Sequence, residues 1–113
     1  MLPQALKIVA AVGTVATGVI SLVAPRSVTG FTGLSPNGRR GITEIRAVLG
    51  AFFIALGVAP LVLRDPATYQ MLGIAYLAVA IVRAVSMIVD KSVVPSNIVS
   101  LIVEVVLGVI LAL

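Results

Sequence analysis

The chain has 113 residues, of which 60% are hydrophobic and 11% charged, and its formal net charge is +4. Soluble domains carry about 25% charged residues, so this composition, with a mean hydropathy of +1.23, excludes a water-soluble globule and a disordered chain. It predicts a membrane protein. The sequence contains no cysteine and no histidine, which excludes disulfides, thiolate or imidazole metal sites and Ser-His-Asp catalysis. We therefore expect no cofactor and no metal.

Four apolar stretches are each long enough to cross about 30 Å of hydrocarbon as a helix. They predict an all-α, polytopic membrane protein whose four transmembrane helices form one compact bundle, a single domain over residues 1–113. Strict period-two alternation is absent, which argues against an outer-membrane barrel. The predicted spans are 5–24, 42–63, 67–89 and 93–113.

The ends of these spans carry turn signals. Arg64-Asp65-Pro66 predicts a tight turn between the second and third spans, and Asp90-Lys91-Ser92 separates the third from the fourth. Pro95 falls in the first turn of the fourth helix, where its missing N–H costs little. The candidate N-cap residues are Gly41 or Thr43 for the second helix and Ser92 or Ser96 for the fourth.

The long connection, residues 25–41, contains four glycines and the turn signal Ser35-Pro36-Asn37-Gly38. It predicts a loop at the membrane interface with a short helical turn around residues 28–34. Lys7 and the apolar run after it resemble a signal peptide, but Pro25 directly after that run disfavours cleavage. We therefore expect a retained first helix.

Basic residues in the loops indicate the orientation, because cytoplasmic loops are enriched in lysine and arginine. Lys7 and Arg64 lie on the side of the termini, and four basic residues lie on the other side: Arg26, Arg39, Arg40 and Lys91. We therefore expect the loops 25–41 and 90–92 to be cytoplasmic and both termini to be outside, in a bacterial inner (plasma) membrane.

Besides Lys7 near the start of the first span, four ionisable residues fall inside the predicted spans: Glu44, Arg46, Arg83 and Glu104. Each costs about 2.5–3.5 kcal/mol at the bilayer centre, so each needs a partner or water. The helical rise places Glu44 and Arg46 about 3–6 Å below the interface, and Arg83 about 9 Å and Glu104 about 16 Å below the same face. The two carboxylates and two guanidiniums balance in charge, as in a self-compensated internal cluster.

Helical spacing places these charges on stripes that are the natural inner faces of a bundle. The stripes, helix by helix, are Arg46-Gly50-Phe53-Gly57, Tyr76-Ala80-Arg83-Met87-Asp90 and Asn97-Ser100-Glu104-Gly108. We predict an intramembrane polar cluster of Arg46, Arg83 and Glu104, with Glu44 and Asp90 at its cytoplasmic rim.

Several interpretations of this cluster stay open. A structural one has Glu104 pairing with Arg83 or Arg46 and holding the bundle in register. A functional one has a polar cavity, open to the cytoplasm, that receives a charged headgroup, an ion or a proton. The cluster could also lie at a subunit interface, or Glu104 could act as an acid or base on a lipid. No nucleophile is activated and no phosphate-loop motif is present, so we expect no catalytic residue and no enzymatic activity.

The segment EIRAVLGAFFIALGVAPLVL, which begins at Glu44, resembles the second helix of a family of small bacterial four-helix membrane proteins of unknown function near the DoxX-like group. In that family an acidic residue is followed by x-Arg-Ala-x-x-Gly. Arg83 followed by Asp90 seven residues later, and Glu104 in the fourth helix, are similar too, whereas Leu49 stands where the family has an aromatic residue. The resemblance implies an inner-membrane bundle without an assigned activity, in some cases an accessory membrane component.

The size and span number also suggest the small multidrug resistance transporters, but those carry an essential acid in the first helix, and this first helix has no carboxylate. The sequence therefore favours a non-enzymatic structural or accessory subunit of a membrane complex. The alternative is a small oligomeric transporter or lipid-binding protein with a cavity lined by Arg46, Arg83 and Glu104. The expected partners are membrane lipids and either further copies of the chain or other membrane-protein subunits. No basic patch stands free of the membrane, so we expect no nucleic acid.

Overall fold

The computed structural model describes residues 3–113. Residues 25–28 form a 3₁₀ turn, and the part of the chain that is described contains no β-strand. The all-α prediction is therefore confirmed. The helices, in chain order, are α1 (Gln4–Val23), α2 (Thr29–Thr32), α3 (Gly38–Leu63), α4 (Pro66–Val89) and α5 (Pro95–Ala112).

Four of these helices, α1, α3, α4 and α5, are long and apolar enough to cross a membrane. Between 17% and 28% of the residues in their most apolar windows are buried within the chain. Most of their apolar side chains therefore face outward, where only a non-aqueous environment or another apolar surface removes them from water. This is the arrangement of a multi-pass membrane protein.

The predicted bounds hold within about one residue for α1 and α4, but the predicted start of α3 is wrong. The helix begins at Gly38, four residues before the predicted span, and Asn37 precedes it in an extended conformation without a side-chain cap. Neither Gly41 nor Thr43 caps it. The charged residues Arg39 and Arg40 continue the helix beyond its apolar part, because arginine is a good helix former although it ends a hydropathy window.

The predicted cap of α5 is also wrong. Val94, extended and without a side-chain cap bond, precedes Pro95. Proline occupies the first helical position and forces the residue before it out of the helical region, so neither Ser92 nor Ser96 takes the cap position. The helical turn expected around residues 28–34 is present as α2, which ends at Gly33 in a left-handed conformation with φ 77°.

Helix α3 is not a uniform α-helix. Its first segment, Gly38–Glu44, and its last, Phe53–Leu63, are α-helical, and the segment between them, Ile45–Phe52, has the wider i→i+5 hydrogen bonding of a π-helix. The helix ends at Arg64, whose φ of 56° is left-handed and whose backbone N–H donates to the carbonyl oxygen of Pro60 at 3.0 Å. This is the simple left-handed helix end.

The chain divides into two units, one of residues 11–64 and one that joins the residues up to Ala10 with Asp65–Leu113. The single domain over residues 1–113 stays a prediction. In the first of these units α1 and α3 run antiparallel with their backbones close together. A methyl group added at Gly18 would lie 2.7 Å from the carbonyl oxygen of Gly50, and one at Gly57 would lie 2.7 Å from that of Ala11. Glycine permits this approach.

In the other unit α4 and α5 form an antiparallel hairpin. A methyl group on Gly73 would lie 2.5 Å from the backbone nitrogen of Ala112 and 2.9 Å from the carbonyl oxygen of Gly108. Lys91, with φ 54°, turns the chain between the two helices, and the N–H of Ser92 donates to the carbonyl oxygen of Met87 at 3.0 Å. That bond closes α4 with a Schellman-type end.

Asp65 caps α4, since its side chain accepts a hydrogen bond from the backbone N–H of Ala67 at 2.9 Å. We expect Asp65→Ala to lower the free energy of unfolding in detergent by about 0.5–2 kcal/mol, the usual cost of a lost N-cap. Asp65→Asn, which keeps an acceptor oxygen, is the control and should lie near the wild type in a denaturant titration followed by circular dichroism. An equal loss in both variants would contradict the capping role.

Candidate functional site: an ion pair between two membrane helices

Arg83 on α4 and Glu104 on α5 form a two-pronged ion pair. The Nε of Arg83 donates to Oε1 of Glu104 at 2.7 Å, and its Nη2 donates to Oε2 at 2.7 Å. The guanidinium and the carboxylate are planar and match in spacing, so both carboxylate oxygens are engaged by one side chain. The exposed fractions of the two side chains are 28% for Arg83 and 12% for Glu104.

A second polar residue of α5 completes the surroundings of the guanidinium. The Nη1 of Arg83 donates to Oδ1 of Asn97 at 2.8 Å. The Nδ2 of Asn97 in turn donates to the backbone oxygen of Ser92 at 3.0 Å. Hydrogen bonds therefore run without a break from the turn between the helices to the carboxylate of Glu104.

This network extends deep into the predicted membrane region. Glu104 lies nine residues after Pro95, about 14 Å along α5, and so at the middle of an 18-residue helix. Arg83 lies six residues before the end of α4, and its guanidinium reaches both Asn97 and Glu104. No buried side-chain nitrogen or oxygen among the described residues lacks a hydrogen-bond partner.

Of the three residues predicted to form the intramembrane cluster, two are in direct contact and the third lies in the other unit. Arg46 is exposed, and it forms no ion pair and no side-chain hydrogen bond within residues 11–64. The α-helical stripe predicted for it is only partly buried, since Gly50 and Gly57 are buried whereas Arg46 is exposed and Phe53 is intermediate.

The two residues predicted at the rim have local partners. Glu44 forms an ion pair with Arg40, one turn earlier on α3, and the exposed fractions of these side chains are 54% and 77%. A pair this exposed contributes little to stability. Asp90 is exposed at the end of α4 and accepts a hydrogen bond from the hydroxyl of Ser86. Glu44 is thus paired within the first two turns of α3, and Asp90 is bonded at the end of α4.

Asn97 is the member of the network that the sequence prediction did not include. Its place on the stripe of Glu104, two turns earlier on α5, was the available signal, because an amide on the inner face of a membrane helix also needs a partner. Ser92 accepts from Asn97 through its backbone oxygen, at 3.0 Å, and through its hydroxyl oxygen, at 3.3 Å. No group of three or more Asp, Glu, His or Cys side chains lies together within residues 3–113 in a way that could hold a metal ion.

A family model for a domain of unknown function, DUF4345, matches residues 2–113. The chain belongs to the DUF4345 family. This confirms the part of the resemblance that assigned the chain to a family without a known activity. No curated protein and no solved structure matches the chain.

Proposed function

We propose that this protein is a non-enzymatic structural or accessory subunit of a membrane complex, and that the Arg83–Glu104 pair fixes α4 against α5. One observation carries the proposal: the two charged groups neutralise each other and both carboxylate oxygens are hydrogen-bonded within the pair. Both carboxylate oxygens of Glu104 accept from the same guanidinium, and Asn97 accepts from its third nitrogen. A charge pair compensated in this way needs no ligand to be stable in the membrane.

The chemistry of the pair supports a non-enzymatic role. A general acid or base must have a free oxygen that faces a substrate, whereas each oxygen of Glu104 already accepts a short charge-assisted hydrogen bond. No nucleophilic side chain is hydrogen-bonded to either member of the pair in the described part of the chain. Positioning two helices is the role that these contacts favour.

The outward apolar surface supports a role within a larger assembly. Large apolar side chains are exposed on all four long helices, with exposed fractions reaching 76% for Ile88 and 73% for Val23. Lipid covers such a surface, and so does a neighbouring subunit. We propose further copies of the chain or other membrane-protein subunits as partners, with lipid around them.

The location and orientation belong to the same proposal. The loops 25–41 and 90–92 hold four basic residues and the opposite side holds two, which favours cytoplasmic loops and external termini. We propose that the protein lies in a bacterial inner membrane. We also propose that its family is related to the DoxX-like group, because the motif in α3 and the acidic residue of α5 resemble that group.

A second candidate is a small oligomeric transporter or lipid-binding protein that uses the same pair. The observation that favours it is the 28% exposed fraction of the Arg83 side chain. A guanidinium has five N–H groups, and three are engaged by Glu104 and Asn97. Two remain for an anion that approaches from the exposed side.

Native mass spectrometry of the protein released gently from its own membrane tests both candidates. The wild type is compared with the double variant Arg83→Met/Glu104→Leu, which removes both charges and keeps apolar bulk. We expect a stoichiometric partner protein in both samples, because the pair acts only within the hairpin. Arg64→Gln, an exposed charge at the end of α3, is the control for a general effect of charge.

Two results would contradict the proposed subunit role. A homo-oligomer that retains one defined lipid or small molecule per chain, and loses it in the double variant, would make the pair a binding site. Release of a chemically altered lipid by the wild type alone would make the protein an enzyme.

A further inference from the structure

Positive charge is concentrated in one segment of the chain, residues 25–46. It contains four of the eight basic residues and one of the four acidic residues. The acidic residue, Glu44, is engaged by Arg40. The other three arginines of the segment are Arg26, Arg39 and Arg46. All three are exposed, and they form no ion pair within residues 11–64. The segment therefore carries an excess of accessible guanidinium groups.

The same segment exposes apolar side chains on an ordered turn. The exposed fractions of Phe31 and Leu34 are 42% and 51%. The turn is held by its own threonines, since the hydroxyl of Thr29 donates to the carbonyl oxygen of Leu34 at 2.7 Å, and the N–H of Leu34 donates to the hydroxyl of Thr32 at 3.0 Å. An aromatic and a leucine are thus presented outward without a cost in unsatisfied backbone groups.

Two residues just before this turn are buried and hold it in place. Pro25 and Val28, in the 3₁₀ turn that precedes α2, are buried, and Val28 is fully so. The short segment is therefore amphipathic, with one side packed on the chain and the other presenting Phe31 and Leu34 between arginines. Apolar side chains between basic ones are typical of segments that lie in a membrane interface.

The length of α3 places the arginines at the level of phospholipid headgroups. Its 26 residues span about 39 Å, which is longer than the roughly 30 Å of a hydrocarbon core. Arg39 and Arg40 lie in its first turn and fall in the excess length. Arg46 lies eight residues from the start, about 12 Å along the helix, close to the boundary, from which a long side chain reaches headgroups.

We propose that residues 25–46 form a binding surface for anionic phospholipids. Arg26, Arg39 and Arg46 contact the phosphate groups, and Phe31 and Leu34 insert at headgroup level. Guanidinium groups bind phosphate oxygens through paired hydrogen bonds. Arg46 is the residue that favours a lipid over a free phosphate. It lies about 12 Å along an apolar helix, where a phosphate group that reaches it is attached to a lipid. This surface is separate from the Arg83–Glu104 pair and does not depend on the proposed subunit role.

Lipid retention measured by native mass spectrometry on the full chain tests the proposal. The protein is reconstituted in vesicles of phosphatidylcholine mixed with phosphatidylglycerol and then released, and the ratio of retained phosphatidylglycerol to phosphatidylcholine is counted. An arginine that contacts anionic headgroups contributes about a fivefold preference for an anionic leaflet. We therefore expect Arg26→Gln/Arg39→Gln to lower the ratio about 25-fold.

The matched control, Arg64→Gln/Lys91→Gln, removes the same charge from exposed positions outside the segment and should lower the ratio much less. Arg26→Lys/Arg39→Lys, which keeps the charge, should retain most of the preference and shows that the segment still folds. An equal fall in both glutamine variants, or no preference in the wild type, would overturn the proposal. Displacement of the lipid by inorganic phosphate would overturn it in favour of a site for free phosphate.

Discussion

Replacing Glu104 by glutamine is expected to lower the free energy of unfolding in detergent by about 3–5 kcal/mol, the largest effect of any single substitution considered for this chain. The carboxylate is the only anionic group that contacts the Arg83 guanidinium among the described residues. Its loss leaves a positive charge inside the α4–α5 hairpin. A guanidinium does not release its proton, so the charge cannot be relieved by titration.

Arg83→Gln should be milder than Glu104→Gln. The carboxyl group left behind can bind a proton and become neutral, so the residual cost is that of a polar group with a partial set of hydrogen bonds. The double variant Arg83→Met/Glu104→Leu should recover most of the lost stability, because a buried ion pair replaced by packed apolar side chains is often neutral or stabilising.

Arg83→Gln, Glu104→Gln and the double variant Arg83→Gln/Glu104→Gln form a double-mutant cycle that is measured by denaturant titration in detergent, with circular dichroism as the readout. The expected signature is a large coupling between Arg83 and Glu104 together with a double variant that is more stable than Glu104→Gln. Additive losses in the double variant would mean that the contact between the two side chains does not stabilise the hairpin.

Gly73→Ala is expected to have the second largest effect, a loss of about 1–3 kcal/mol or more. The added methyl group would lie 2.5 Å from the backbone nitrogen of Ala112 and 2.8 Å from the backbone carbon of Leu111. These are backbone atoms of α5 and cannot rotate away as the end of a side chain can. The two helices must separate at this level, and their packing along the hairpin is lost with it.

Gly13→Ala is the matched control for Gly73→Ala. Gly13 is also a helical glycine, but a methyl group there meets no atom within 4 Å. Alanine is the better helix former by about 1 kcal/mol, so this variant should be as stable as the wild type or more so. The prediction is checked by comparing the thermal unfolding midpoints of Gly13→Ala and Gly73→Ala in the same detergent. Equal midpoints would show that α4 and α5 do not approach closely at Gly73.

The positions of the four long helices were largely accessible from the sequence because the relevant signals are local. Apolar stretches of membrane length locate the four long helices, and the prolines and charges between them locate their ends. The turn signal Arg64-Asp65-Pro66 locates the start of α4 to within one residue. The starts of α3 and α5 were missed because hydropathy reports where a helix leaves the membrane region, and backbone geometry decides where the helix itself begins.

The choice of partner for Glu104 was not accessible. Depth and charge balance allow either Arg46 or Arg83, since both lie below the same predicted interface within the reach of a long side chain. The distinction rests on which helix packs against α5 and at what register, and these are set by close contacts such as that of Gly73 with Ala112. Spacing along a single helix carries no information about register between helices.

The π-helical segment Ile45–Phe52 changes the phase of α3. A turn closed by i→i+5 bonds contains more than the 3.6 residues of an α-turn, so residues before and after the segment no longer follow one α-helical wheel. The start of α3 and the buried Gly57 are therefore rotated about the helix axis relative to their positions in a regular α-helix. Deleting one residue within 45–52 would restore an α-helical repeat and rotate the basic end of α3 relative to its glycine face. The π-helical segment thus sets the angle, about the helix axis, between the basic start of α3 and the face that packs on α1.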